Sequence, residues 1–222
     1  RKLFQEGKSG QRMVAVVLYE PGIIGKRYWL ATEKDLKIFK EAEKYLEEKR
    51  EKLKEEWGID PVPDEEIPLM SGVFNVPIYG MHKWGDLFNS RQKLALITFV
   101  EKVRFIYKKM IKEGYNEEYA RALLSYLGLG IDELARFTSV LNPWKVDAEA
   151  IVHVFGRQAF PMLWDYNENN PLGDHGGTWK NRIKEMIAVC ENLSRTSNLQ
   201  SRVSQSSATS LSYPDNHFDA VF

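Results

Sequence analysis

The sequence has a single cysteine, Cys190, and no long apolar run. One cysteine excludes an intrachain disulfide framework and is typical of proteins from a reducing compartment. No stretch approaches the roughly 20 apolar residues that a membrane-spanning helix needs. A charged start followed by an apolar run and a cleavage site is also missing, so no secretory signal is visible. These absences predict a cytoplasmic protein.

The sequence also lacks an excess of charge, because 31 Lys and Arg residues balance 31 Asp and Glu residues. Proteins that bind nucleic acid over most of their surface usually have an excess of basic residues, so this kind of binding is disfavoured. The balance leaves room for a local patch, since segment 89–121 has eight Lys or Arg residues against four Glu. A DNA-facing helix and a solvated helix face both explain this excess, and the solvated face is the simpler interpretation.

No complete catalytic motif is present. The four histidines (82, 153, 175 and 217) are scattered, and none pairs at i, i+4 or with Cys190, so no zinc site is predicted. There is no G-x-x-x-x-G-K-[ST] phosphate loop, no G-x-G-x-x-G after a strand and no G-x-S-x-G nucleophile elbow. An intact enzyme of unrelated chemistry is therefore a weak interpretation.

What is present is enough apolar surface for a core, since 43% of the 222 residues are apolar and 12% are aromatic. The strand-like run Met13–Tyr19, the turn-rich "EPGIIG" and the run "KRYWLA" predict a β-hairpin. A long charged helix follows from an N-cap at Thr32 to Trp57, and Gly58 ends it. The proline-containing segment 59–88 is then expected to be an extended connection.

Three further helices are predicted. The first begins at Asn89 with Gln92 in a capping-box arrangement and runs to Glu113. The second begins after Asn116, and its Gly128 and Gly130 indicate a kink or close packing. The last begins after Thr178, and segment 147–166 between them is expected to be helical in pieces.

These elements predict a mainly α fold with a small β component (α+β). We divide the chain into a hairpin segment (1–31), a helical insertion region (32–198) and the start of a strand region (199–222). The apolar run Phe218–Phe222 predicts the entry to a buried strand.

The segment "GMHKWGDLFNSRQ" is too polar and aromatic for simple packing. Its Trp84, Asp86, Asn89 and Arg91 lie in a loop that enters a helix N-terminus, where backbone N–H groups bind phosphate. Arg91 would pair with a phosphate or a base edge, and Trp84 would stack on a base. The alternative makes Trp84 a core anchor, Asn89 a helix cap and Asp86 a turn residue.

The segment "FGRQAFPMLWDY" poses the same choice. Arg157 and Gln158 are the side-chain types that form paired hydrogen bonds with guanine and adenine. The alternative is that Arg157 pairs with a carboxylate such as Asp165 and joins two parts of the fold.

Four segments together resemble the middle part of large adenine-specific DNA methyltransferases of bacteria and archaea. They are "RMVAVVLYEPGIIGKRYWLATEKDL", "GMHKWGDLFNSRQKLALITFVEKVR", "FGRQAFPMLWDY" and "YPDNHFDAVF". The resemblance follows the order of the chain and covers nearly all of it.

The resemblance implies that the full protein uses S-adenosylmethionine and methylates a base that leaves the DNA stack. A Phe-x-Gly-x-Gly cofactor loop and an Asp-Pro-Pro-Tyr motif belong to that family, and neither is in this sequence. The end of the chain would then be a Rossmann-like strand that stops before its catalytic loop. Ser207 and Ala208 stand where the family contacts the cofactor adenine, although Ser207 replaces the usual acid.

We therefore expect a fragment of an S-adenosylmethionine-dependent DNA methyltransferase that positions DNA or covers the active site and is inactive alone. Its partners would be DNA and the rest of the methyltransferase. The alternative is a non-enzymatic helical module that binds a partner protein or nucleic acid through helix 32–57 and the basic segment 91–121.

Overall fold

A computed structural model describes residues 1–156, 158–196, 206–207 and 209–219. The described residues form a mainly α fold with two small antiparallel sheets, which confirms the predicted class. They divide into two compact units, 1–187 and 188–222, so the hairpin and most of the helical region share the first unit. The helices are α1 (Lys2–Gln5), α2 (Glu33–Trp57), α3 (Ser90–Lys112), α4 (Glu117–Arg136) and α5 (Trp179–Thr196). The strands are β1 (Ala15–Leu18), β2 (Arg27–Leu30), β3 (Trp144–Lys145) and β4 (Ala150–Ile151), and short 3-10 turns cover Val76–Tyr79 and Trp84–Leu87.

The predicted hairpin is confirmed. β1 and β2 pair antiparallel with Ala15 opposite Leu30. Gly25 in the connection has a φ angle of 84°, in the left-handed region that favours glycine. The Tyr28 hydroxyl donates to the Glu149 carboxylate at 2.7 Å, so the hairpin contacts the β3–β4 turn of the same unit.

Helix α2 begins and ends where the sequence predicts. The Thr32 hydroxyl and amide both donate to the Asp35 carboxylate, at 2.6 and 2.8 Å, and these bonds lower the pKa of Asp35. Gly58 follows the helix with a φ angle of 71°, the left-handed conformation common at helix ends. The apolar stripe of the helix buries Leu46 and Leu53.

Helices α2 and α3 run parallel. Lys49 donates to Glu101 at 2.7 Å, and Lys108 donates to Glu56 at 3.0 Å. In both pairs the partners are 52 residues apart, and a constant offset means that the two helices point the same way. The extended segment 59–88 therefore carries the chain back along the helices before α3 begins.

Helix α4 follows a cap at Asn116, whose side chain accepts the Tyr119 amide at 3.1 Å. Gly130 is buried where α4 meets the start of α5. A Cβ atom at Gly130 would lie 3.2 Å from both Trp179 and Ile183. The close packing predicted for this glycine pair is confirmed at Gly130.

The helical pieces predicted in segment 147–166 are wrong. The described part of this segment holds β4 and irregular chain. Two of its amides donate to distant carbonyls: Val154 donates to Arg136 at the end of α4, at 2.9 Å, and Phe160 donates to Val73, at 2.7 Å. The β-branched residues, the glycine and the proline of this segment favour extended backbone, and these distant acceptors complete its hydrogen bonds.

The main core of the first unit is built largely from irregular chain. Its buried residues come from the connection before α3 and from the region after α4. They are Ile67, Val76, Leu87, Val140, Leu141, Val154 and Phe160. A second buried cluster lies between α2 and α3 and consists of Leu46, Leu53, Val62 and Ile97.

Asn142 connects several irregular segments and is 0% exposed. Its side-chain oxygen accepts the Ser139 amide at 2.6 Å. Its side-chain nitrogen donates to the carbonyls of Arg136 and Val152, each at 2.8 Å. Its own carbonyl accepts the Asn167 amide at 2.8 Å. One side chain and its peptide group thus complete hydrogen bonds that regular secondary structure would otherwise make.

The second unit is described only in part. Within it the rings of Tyr213 and His217 stack with their centroids 5.0 Å apart. Phe218 and Asp219, which begin the predicted closing strand, do not belong to a strand. Residues 220–222 lie outside the described residues, so that part of the strand stays a prediction.

We expect Asn142→Ala to lower the free energy of unfolding by about 2–4 kcal/mol. The change leaves two carbonyls and one amide without their side-chain partner in a buried place. Urea unfolding followed by circular dichroism measures the effect. Asn170→Ala is the matched control, because Asn170 is exposed and accepts one bond, from the Leu172 amide. A loss below 1 kcal/mol in Asn142→Ala would contradict the role given to this side chain.

Candidate nucleic-acid interface

Trp84, predicted to stack on a base, packs against the aromatic part of the core. Its ring lies edge-on to Phe74 and to Phe160, with centroid distances of 6.2 and 5.9 Å. Phe74 and Phe160 themselves stack at 4.8 Å. The half-buried indole therefore anchors the Trp84–Leu87 turn, which is how the alternative interpretation placed it.

Asp86 closes the turn that precedes α3. Its carboxylate accepts the amides of His82 and Lys83, each at 2.9 Å. These bonds use the carboxylate inside its own loop. Lys83, in contrast, is exposed at the surface beside Trp84.

Asn89 is the N-cap of α3 and also connects the start of this helix to Tyr166 and Glu168. Its side-chain oxygen accepts the Gln92 amide at 2.9 Å, and the Gln92 side chain accepts the Asn89 amide at the same distance. The capping box that the sequence predicts is thus confirmed. The Asn89 side-chain nitrogen donates to the Tyr166 hydroxyl and to the Glu168 carboxylate, both at 3.0 Å.

Arg91 forms a two-point ion pair with Glu168. Its Nε and Nη2 atoms donate to the two carboxylate oxygens at 2.5 and 2.9 Å. The guanidinium also lies 5.5 Å from the centre of the Phe39 ring of α2. Glu168 thereby takes the position at the helix N-terminus where the sequence predicts a phosphate.

Tyr166 extends this network to the start of the chain. Its hydroxyl donates to the Gln11 side chain at 2.6 Å. Burial raises the pKa of Tyr166, so the phenol stays protonated at neutral pH and keeps its donor. The network therefore joins segment 80–92, segment 155–168 and the residues before β1.

Of the remaining predicted site residues, the structure describes Gln158 and Ser207. Gln158 is exposed. Ser207 is also exposed, and its hydroxyl lies 2.9 Å from the Thr209 hydroxyl in a bridged turn with Ser210. Arg157 and Ala208 lie outside the described residues.

Sequence reasoning missed Glu168, Tyr166 and Trp164. Glu168 stands in the loop "NENN", where no periodicity marks a partner for an arginine 77 residues away. Trp164 is 64% exposed, yet its ring is held edge-on by Phe4 and Tyr79 at 5.3 and 5.5 Å. A tryptophan six residues after the "RQ" pair was the available signal for an exposed aromatic surface.

Most cations of the basic segment 89–121 contact groups of this chain. Arg104 lies 4.5 Å from the centre of the Trp57 ring, and Lys93 is half-buried, which lowers its pKa. Carboxylates within 4 Å of the other cations are Glu56 for Lys108, Glu101 for Lys102, Glu113 for Lys109 and Glu117 for Arg121. Glu56, and Glu168 for Arg91, lie outside the segment, so these two carboxylates offset half of its excess of four positive charges.

The described residues contain neither a cluster of metal ligands nor a membrane-spanning helix. No group of three His, Cys, Asp or Glu residues in the described ranges is placed to hold a metal ion. None of the described helices combines the length and apolar character needed to cross a membrane. Comparison with family models, curated proteins and solved structures gives no match. The functional argument therefore rests on the residues of this chain.

A double-mutant cycle on Arg91 and Glu168 tests the network. We expect Arg91→Ala and Glu168→Ala to be coupled by about 1 kcal/mol in the free energy of unfolding, because the pair is bidentate and partly buried. The exposed pair Arg121–Glu117 is the control, with an expected coupling well below that of the Arg91–Glu168 pair. Equal coupling in the two cycles would show that the Arg91–Glu168 pair has no special role.

Proposed function

We propose that this chain is the DNA-positioning part of an S-adenosylmethionine-dependent, adenine-specific DNA methyltransferase. The resemblance of four segments, in order along the chain, first suggests this function. One observation supports it further: the two segments singled out for DNA contact, 80–92 and 155–166, are far apart in sequence but pack together. Trp84 contacts Phe160, and Asn89 contacts Tyr166.

Some residues of these two segments contact other parts of the chain, and others are exposed to solvent. Trp84, Asp86, Asn89 and Arg91 form bonds and ring contacts within the chain, so we assign them the role of fixing the shape of the surface. Among the exposed residues of the same two segments, we assign DNA contact to Lys83, Gln158 and Trp164.

Each exposed residue supplies a different contact. Lys83 adjoins Trp84, and Gln158 is two residues from Phe160, so the Trp84–Phe160 contact brings both near one place on the surface. A lysine would pair with phosphate, and a glutamine amide would read the edge of adenine. The fixed, exposed ring of Trp164 would stack on an unpaired base. Arg157, which lies outside the described residues, stays a predicted contact.

An open groove adjoins this surface. Its walls are mainly apolar, and three polar side chains reach into it. The lining residues are Gln5, Glu66, Ile67, Pro68, Leu69, Pro77, Ile78 and His82. A groove with flat apolar walls and a few polar groups suits a planar base better than it suits a phosphate.

We assign no site for S-adenosylmethionine to the described residues. The Ser207 turn offers an exposed hydroxyl that already contacts Thr209, and residues 206–210 contain no carboxylate. The cofactor therefore stays an implication of the resemblance for the complete methyltransferase. A DNA methyltransferase of bacteria or archaea works in the cytoplasm, which is where we expect this chain.

DNA binding by the chain should fall steeply as salt rises, because phosphate contacts release counterions. Fluorescence anisotropy with a labelled duplex and a labelled single strand measures this dependence. We expect Lys83→Gln to weaken binding and to reduce the salt slope by about 1. Lys44→Gln on the exposed face of α2 is the matched control and should change neither quantity. Binding that is absent, or insensitive to salt, would instead favour the protein-binding module.

Methyl transfer should not occur with this chain alone, because its sequence contains neither the cofactor loop nor the Asp-Pro-Pro-Tyr motif of the family it resembles. Incubation with DNA and radiolabelled S-adenosylmethionine, followed by scintillation counting of the DNA, measures this. A DNA adenine methyltransferase with both motifs is the positive control. Label transferred by this chain above background would contradict the division of roles proposed above.

A further inference from the structure

The β1–β2 hairpin exposes a strand edge and apolar side chains. Among the described residues, no strand pairs with the outer edge of β2. All four residues of β2 are exposed, and the apolar ones are 50% (Tyr28), 43% (Trp29) and 77% (Leu30) exposed. A sheet of two strands is marginally stable in water, and a third strand or a covering element stabilises it.

The backbone geometry identifies which groups face outward. The Ala31 amide donates to the Val14 carbonyl at 3.0 Å, inside the hairpin. Peptide groups alternate in direction along an antiparallel strand, so the amides and carbonyls of Leu30 and Tyr28 point away from β1. These two residues provide a set of donors and acceptors for another strand.

β2 is short and begins with a charged residue, Arg27, but it lacks the other usual protections of a strand edge. Its sequence, Arg-Tyr-Trp-Leu, has no proline or lysine, and its four residues pair one to one with β1, without a bulge. The β2 edge is therefore suited to strand pairing.

We propose that a second copy of this chain pairs with β2 in antiparallel orientation and forms a four-stranded sheet across a two-fold axis. Such an axis is perpendicular to the sheet. Two residues that lie opposite each other across it must therefore have side chains on the same face of the hairpin. Pairing Tyr28 of one copy with Leu30 of the other satisfies this condition, uses the outward peptide groups and sets the two Trp29 residues side by side.

The charged residues on either side of β2 favour a second copy of the chain as the partner of the β2 edge. Arg27 stands at the start of β2 and lies 3.7 Å from Glu20 of its own chain at an exposed position, while Glu33, Lys34 and Asp35, with a net charge of −1, follow the end of the strand. In the antiparallel pairing Arg27 of one copy lies opposite Ala31 of the other, two residues from that copy's Glu33. The same attraction occurs twice because of the symmetry, and two-fold pairs of this kind are the commonest oligomers. This inference does not depend on the proposed DNA function.

Sedimentation velocity over a wide range of chain concentrations tests the proposal. We expect a monomer–dimer equilibrium for the natural sequence. Leu30→Pro removes an outward amide from each copy, leaves the hairpin bonds intact and should raise the dimer dissociation constant about thirtyfold. Leu30→Val keeps the amide and should keep the dimer. Circular dichroism and thermal unfolding confirm that both variants are folded.

Exchanging the charges of Arg27 and Glu33 tests the register of the two β2 strands independently. Arg27→Glu and Glu33→Arg should each weaken the dimer, and the two changes together should restore it. A natural sequence that stays monomeric at every concentration would overturn the proposal, as would a Leu30→Pro dimer as tight as that of Leu30→Val. A lack of rescue in the double exchange would overturn the antiparallel register.

Discussion

The hydrogen bonds of buried Asn142 are the constraint on which the rest of the first unit depends. The chain after α4 passes through the core with little regular secondary structure, and its peptide groups need other partners. Asn142 joins the end of α4, the chain after β4 and the loop at Asn167. Leaving such buried groups without partners costs about 1–3 kcal/mol each, so a single amide side chain fixes the path of three segments.

That path determines where the candidate interface forms. The Asn167 amide is held by Asn142, and its neighbours Tyr166 and Glu168 contact Asn89 and Arg91 at the start of α3. The polar network and the aromatic packing of Trp84 therefore follow from one arrangement of irregular chain. Trp84 and Asn89, predicted to touch DNA, instead hold segments 80–92 and 155–166 together.

Local features of the fold could be predicted from the sequence, because capping and turn chemistry act over a few residues. Thr32, Gly58, Asn89 and Asn116 mark helix ends where the structure has them. The parallel arrangement of α2 and α3 could not be predicted, since it depends on how segment 59–88 packs. The Arg91–Glu168 pair could not be predicted for the same reason, because the sequence around each residue does not specify its partner. Segment 147–166 was misjudged because its amides bond to distant carbonyls.

Hydrogen–deuterium exchange in the presence and absence of duplex DNA tests the central claim most directly, which is that segments 80–92 and 155–166 form one DNA-facing surface. The account predicts that DNA slows exchange in both segments together, at low salt, and leaves the exposed face of α2 unchanged. Protection confined to α2 or α3, or protection of only one of the two segments, would contradict it.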